Sequence, residues 1–190
     1  MIFKWFLVLE NLQEAQSSRY QFITFTRRSA SLHHFITPSP MLSVHSDPYF
    51  MKQALAEAEK AYEAGEVPVG AVIVCEGRII ARAHNQTEML TDVTAHAEIL
   101  ALTAASSHLG SKYLTDCTLY ITLEPCVMCA GALAWAQMGR VVYAASDEKR
   151  GFMLFGGKDL LHPKTKLEMG IMEEECGALV TAFFRAKRNG

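Results

Sequence analysis

The sequence predicts an α/β fold in which one sheet is covered by helices on both faces. Short Val- and Ile-rich runs alternate with amphipathic helical segments along most of the chain. That alternation produces a sheet buried on both sides. Two of the apolar runs are joined by Glu76-Gly77, which reads as a hairpin turn. No internal repeat interrupts the pattern.

Taken in order, Asp47 followed by Pro48 reads as an N-cap and first helical residue. Met51, Leu55, Ala58 and Tyr62 then recur at helical spacing, and Gly65 can close the helix. Val69–Cys75 and Arg78–Ala83 are the hairpin strands, and residues 85–93 are a polar loop. Thr94 is the expected cap of a helix from Ala95 to about Ser107. Thr118–Leu123 is the third strand, and Pro125 opens a helix that ends at Gly139. Arg140–Ala145 is the fourth strand. Residues 146–166 read as irregular, Leu167–Met172 as a fifth strand, and Glu173–Lys187 as a last amphipathic helix.

Composition sets outer bounds. Half of the residues are hydrophobic and a fifth are charged, as in an ordinary globular domain. No run of about 18 apolar residues is present, so no membrane span is expected. Five dispersed cysteines make a poor disulfide framework, so a reducing, cytoplasmic setting is expected, with a metal role for the one close pair. Residues 16–40 are rich in Ser, Thr, Arg and His, carry no acid, and end in Thr-Pro-Ser-Pro. They can be read as a transit peptide, as a poorly ordered tail, or as the product of an over-long start with initiation at Met41. A poorly ordered tail or an over-long start is preferred to a transit peptide, and the chain divides into a poorly ordered N-terminal extension, 1–45, and a folded domain, 46–190.

Three segments carry chemistry: Asn85, His96-Ala97-Glu98, and Pro125-Cys126-Val127-Met128-Cys129. Cys126 and Cys129 are three apart at a helix start and so share a face. A helix N-terminus favours thiolate, and two thiolates suit zinc. Cys-x-x-Cys alone also fits buried thiols or a redox pair, and a lone histidine is more often structural than a ligand. The combination is more specific. His96, Cys126 and Cys129 offer three ligands, which leaves a fourth position for water, as catalytic zinc requires. Glu98 sits two residues from the histidine, where a base is needed.

His-x-Glu followed by Pro-Cys-x-x-Cys is the signature of zinc nucleobase deaminases. The likeness extends to Gly65-Glu66-Val67-Pro68-Val69-Gly70-Ala71-Val72, to Thr94–Ile99, and to Thr122-Leu123-Glu124-Pro125 through Ala132. Over roughly residues 48–188 the sequence resembles the bacterial tRNA-specific adenosine deaminases of the cytidine deaminase-like superfamily. The resemblance implies that 46–190 is a deaminase domain, a three-layer α/β/α sandwich around a mixed five-stranded sheet, with one zinc ion per subunit and a homodimer. It implies conversion of adenosine to inosine at the wobble position of tRNA. By motif, His96, Cys126 and Cys129 hold the zinc and Glu98 is the general acid and base. Asn85 and the Ala97 backbone N–H bond the base, Val69 and Leu123 wall the pocket, and Asp147 contacts the nucleotide backbone.

RNA contacts are expected from basic residues: Lys149 and Arg150, with Lys158, Lys164 and Lys166 beyond them, and Arg185, Lys187 and Arg188 on the last helix. Alone, these would read as a solvated face. The net charge of −2 neither demands nor excludes a nucleic-acid partner, and residues 41–190, with 14 Lys and Arg against 18 Asp and Glu, give RNA binding little support. Two departures from the family pattern touch RNA contacts. Gln86 follows Asn85 where arginine is common, and Gly151-Phe152-Met153-Leu154-Phe155-Gly156-Gly157 replaces a small-residue stretch. Competing readings are a same-fold enzyme for a free base or nucleoside, such as guanine or cytosine, and a non-catalytic partner subunit. Such partners typically lack the glutamate.

Overall fold

The structure is a computed structural model, and it describes residues 46–189. The 1–45 extension lies outside the described residues. The elements are α1 (Asp47–Glu63), β1 (Gly70–Cys75), β2 (Arg78–His84), α2 (Ala97–Leu109), β3 (Cys117–Leu123), α3 (Val127–Trp135), β4 (Arg140–Ala145), β5 (Lys166–Met169) and α4 (Glu173–Asn189). Two 3-10 turns, Phe152–Leu154 and Gly157–Leu160, punctuate the segment between β4 and β5.

The five strands form one sheet in the order β2-β1-β3-β4-β5. β1 runs antiparallel to both β2 and β3, whereas β3, β4 and β5 are mutually parallel. The sheet is thus mixed, as the resemblance implies. Side chains alternate between its faces. Ala71, Ile73, Leu119, Ile121, Val141 and Tyr143 join a core with Ala101, Ala105, Ala130 and Leu133 from α2 and α3. Val72, Val74, Tyr120, Val142 and Ala144 join a second core with Phe50, Met51 and Ala54 of α1 and Cys176 of α4. Two cores on opposite faces make three layers. At Gly70 the α1 backbone approaches so closely that a Cβ would overlap the Ala54 carbonyl and the Ala58 amide.

Most expected elements are present, and the differences lie at their ends. Ser46, not Asp47, occupies the first cap. The Asp47 carboxylate is instead committed to Arg140 by two hydrogen bonds (2.8 and 2.7 Å) and to the Tyr120 hydroxyl (2.6 Å). Thr94 does not cap α2. Its N–H and hydroxyl both donate to the Asp92 carboxylate (2.8 and 2.7 Å), which holds 92–94 as a turn and delays the helix to Ala97. α3 stops at Trp135 rather than Gly139, and Gln137 takes a positive φ. β5 ends at Met169 because Gly170 and Met172 turn the chain into α4 with positive φ.

Candidate active site

The C-terminal ends of parallel strands form the ligand-binding edge of an open α/β sheet. β3 leaves that edge at Leu123 and leads through Glu124-Pro125 to Cys126, the N-cap of α3. His96 is the N-cap of α2. Both cap residues have extended backbones, and neither spends its side chain on a capping bond. The two side chains are thereby free to face one another.

They meet with Cys129. His96 Nδ1 lies 3.7 Å from Cys126 Sγ and 3.5 Å from Cys129 Sγ. Ligand atoms at typical Zn–N and Zn–S distances around a tetrahedral ion stand about 3.6 Å apart. The donor set and its spacing therefore fit zinc. Among the described residues these three form the group of His, Cys, Asp and Glu side chains that can hold a metal ion. The Cys126 thiol is pushed down to about 4 by its hydrogen bonds with Cys129 and His96. The bond with the Cys126 sulfur in turn raises the His96 imidazole.

Glu98 stands in the first turn of α2, is 3% exposed, and lies outside the metal-holding group. Burial pushes its carboxyl up to about 7, and it sits beside the Cys129 sulfur. A carboxyl poised near neutrality can both take and give a proton.

The remaining expected contacts are distributed more widely. Asn85 is buried, and its Oδ1 accepts the Ala97 N–H at 3.3 Å. The structure thus gives that N–H a partner within the chain, where the sequence reading had it meet the base. The Asn85 amide NH2 remains the group suited to donate to a ring. Val69 is buried before β1, and Leu123, half-buried, touches both cores. Asp147 is a turn-former. Its carboxylate accepts the N–H groups of Lys149 and Arg150 (2.9 and 3.0 Å). Lys149 and Arg150 are exposed, and Arg150 is close enough to act electrostatically on His96. Arg185, Lys187 and Arg188 are exposed on α4, with Lys187 Nζ 5.6 Å from the Phe183 ring centroid. Lys164 and Lys166 lie with His162 around a pocket at the N-terminal end of β4, away from His96, Cys126 and Cys129.

Sequence reasoning missed two buried glutamates that hold the rim. Glu66 Oε1 accepts the N–H groups of Glu88 and Met89 (2.9 and 2.8 Å), and Oε2 accepts the Thr87 hydroxyl (3.1 Å). This fixes the loop that begins at Asn85. Burial opposes the charge on Glu66, but the Met89, Glu88 and Thr87 donors prevail and hold its pKa below the usual value. Glu124 Oε2 accepts the Asp147 N–H (3.0 Å) and Oε1 the Met153 N–H (2.9 Å). Phe152 N–H donates to the Pro125 carbonyl (3.0 Å), and Gly151 pairs with Cys126 as an isolated antiparallel bridge. Both glutamates lie in the segments that carry the family resemblance, yet nothing in their spacing separates a clamp from a solvated carboxylate.

A histidine and two cysteines at facing helix N-termini, with a buried glutamate beside them on a mixed sheet, define the class: a deaminase of the cytidine deaminase-like fold. The MafB19-like deaminase model matches residues 45–188, and the chain belongs to that deaminase family, with the tRNA-specific adenosine deaminases among its relatives. The tRNA-specific adenosine deaminase of Aquifex aeolicus is 47% identical over 146 residues, which cover 74% of this chain and 95% of that protein. A solved structure from work on A-to-I editing by tRNA:A34 deaminases at the wobble position of transfer RNA is 43% identical. It covers 68% of this chain and 97% of its own, with a TM-score of 0.64. A structure from work on guanine deaminase of Nitrosomonas europaea is 23% identical and covers 83% of this chain and 98% of its own. Its TM-score of 0.66 marks a shared fold alone.

Proposed function

We propose that residues 46–190 form a zinc-dependent deaminase that converts adenosine to inosine at the wobble position of tRNA. The observation that carries the reading is His96 Nδ1 at 3.5 and 3.7 Å from the two sulfurs, with Glu98 buried alongside and free of the ligand set. The substrate is supported by the name of the 47% identical relative. The cytoplasm is where such a substrate would be met.

His96, Cys126 and Cys129 would hold the ion, which when bound lowers the pKa of its water to about 7. Glu98 takes a proton from the attacking water and places it on N1 of the purine. The oxygen bonds to C6; Glu98 then takes the second proton from that oxygen and delivers it to the amine as the C6–N bond breaks. Adenosine and water thus become inosine and ammonia, and one carboxylate serves both transfers because it is regenerated between them. Asn85 orients the base through its amide, and Val69 and Leu123 exclude water from the ring.

A homodimer is part of the reading. An apolar groove between α2 and α3 is lined by Ile99, Leu102, Tyr113, Ala132 and Trp135, and Trp135 is 85% exposed. Exposed apolar surface of that kind marks an association site. The experiment that tests the function incubates the pure protein with adenine-34 tRNA, adenosine, guanine and cytosine and assays ammonia. Release from tRNA alone is expected, and release from guanine or cytosine with none from tRNA would overturn the substrate.

A further inference from the structure

The segment Gly151–Gly157 displays three consecutive exposed apolar side chains, Met153, Leu154 and Phe155, with Phe155 64% exposed. Exposed apolar groups in a loose loop would mean little. This loop is fastened at several points. The Glu124 carboxylate holds the Asp147 and Met153 amides, Phe152 donates to Pro125, and Gly151 is bridged to Cys126. Phe152 is buried against Tyr143 (ring centroids 6.3 Å apart, nearly perpendicular), so the loop is anchored from below. Phe155 N–H and Gly156 N–H both donate to the Phe152 carbonyl (3.1 and 3.2 Å), closing the 3-10 turn that presents Leu154 and Phe155. A chain that fixes apolar side chains in water beside its catalytic ligands has ordered them for a partner.

The neighbours indicate what that partner is. Lys149, Arg150 and Lys158 bracket the patch and are exposed, while Glu148 and Asp159 offset part of their charge. The loop is therefore only weakly basic, and its recognition rests more on apolar contact than on charge. Aromatic side chains beside scattered cations stack unpaired bases, and stacking tolerates any base because each has a π-face. Leu154 and Phe155 stand three and four residues beyond Gly151, which is bridged to Cys126, and Met153, between Gly151 and Leu154, is tied to Glu124, so the patch belongs to the rim of the same site.

Resting on the function proposed above, we infer that Leu154 and Phe155 form a stacking platform for an unpaired nucleotide adjacent to the one deaminated. The platform is a binding element for substrate and takes no part in proton transfer.

The test uses the full chain, loaded with zinc, on an anticodon stem-loop RNA carrying adenine at the wobble position. The variants are Phe155→Ser, Leu154→Ser with Phe155→Ser, and Phe155→Trp. For the serine variants we expect KM to rise roughly tenfold, the scale of one base–aromatic stack, with kcat within about twofold, zinc content unchanged and the salt slope of binding unchanged. Phe155→Trp restores the parental KM. An unchanged KM in the double variant would overturn the platform. So would a serine variant that sediments as a smaller species than the parent, since the patch would then be an interface between copies. A salt slope that falls with the serine substitutions would assign the loss to phosphate contacts and also overturn it. If the parent makes no inosine in the stem-loop, the proposed substrate itself fails, an outcome separate from all of these.

Discussion

Gly151→Ala should be severely destabilising in the parent and nearly harmless once Glu124 is removed. Gly151 has φ −58° and ψ 138°, a conformation alanine adopts without strain. The obstacle is spatial: a Cβ there would overlap the carboxylate carbon and both oxygens of Glu124. That carboxylate is buried and accepts the Asp147 and Met153 amides, so it cannot swing aside and keep its bonds. Hydrogen bonds to a charged group contribute about 1.5–3 kcal/mol each, so displacing two costs about 3–6 kcal/mol. At roughly 2–4 °C per kcal/mol for a domain of this size, the melting temperature should fall by about 10 °C. Glu124→Ala loses the same two bonds and should cost a similar amount. The double variant should therefore lose little more than either single one, because the second substitution finds the bonds already gone. The assay is a thermal double-mutant cycle on zinc-loaded protein. Additive losses in the double variant would refute the reasoning, since they would mean that Gly151 and Glu124 act independently.

Glu98→Ala should retain zinc by metal analysis and lose activity by about 10²–10⁴-fold, the usual contribution of a general acid–base group; loss of zinc would give Glu98 a ligand's role instead. Asp47 is held below its ordinary value by the Arg140 guanidinium, with burial opposing and the Tyr120 hydroxyl assisting. A depressed carboxylate contributes stability above its unfolded pKa of about 3.9. The melting-temperature gap between the parent and Asp47→Asn should thus be constant from pH 7 to about 5 and shrink as the pH falls below about 4. Replacing Arg185, Lys187 and Arg188 together with alanine should weaken tRNA binding and lower its salt slope by about one unit per lost phosphate contact, measured by filter binding from low to moderate salt. Zinc content should not change.

How much of this was legible beforehand depended on the range of the interaction concerned. The sheet and its two covers followed from short apolar runs such as Val69–Cys75 alternating with helical segments, a local pattern that survives folding; which face each residue takes, Ala71 and Ile73 on one and Val72 and Val74 on the other, is seen in the structure. That His96, Cys126 and Cys129 come together, with Glu98 beside them, was legible because a motif compresses long-range geometry into fixed spacing. Element ends were misplaced where a side chain preferred a distant or competing partner. Asp47 bonds Arg140, which lies 93 residues away in sequence, and Thr94 is taken by Asp92 before it can cap a helix. Glu66 and Glu124 escaped because their partners are backbone amides of loops, which have no sequence signature.

Three near-fully buried glutamates surround this site, and their surroundings give them different work. Burial alone penalises the charged forms of Glu66 and Glu98. Glu66 receives two amides and a hydroxyl, which more than offset that penalty and keep it ionised. A carboxylate so saturated cannot move protons at neutral pH, but it can fix a loop. Glu124, with the Asp147 and Met153 amides, occupies the same kind of position on the opposite rim. Glu98 faces the His96 and Cys129 side chains instead, and burial raises it toward neutrality. Proton transfer needs a carboxyl that is not held ionised by its donors. The two clamps take amides from neighbouring loops, whereas Glu98 has its own backbone amide and the Cys129 sulfur, and burial outweighs both. A substitution that gave Glu98 a further amide partner would therefore lower its pKa and slow proton delivery to the purine, even with His96, Cys126 and Cys129 in place.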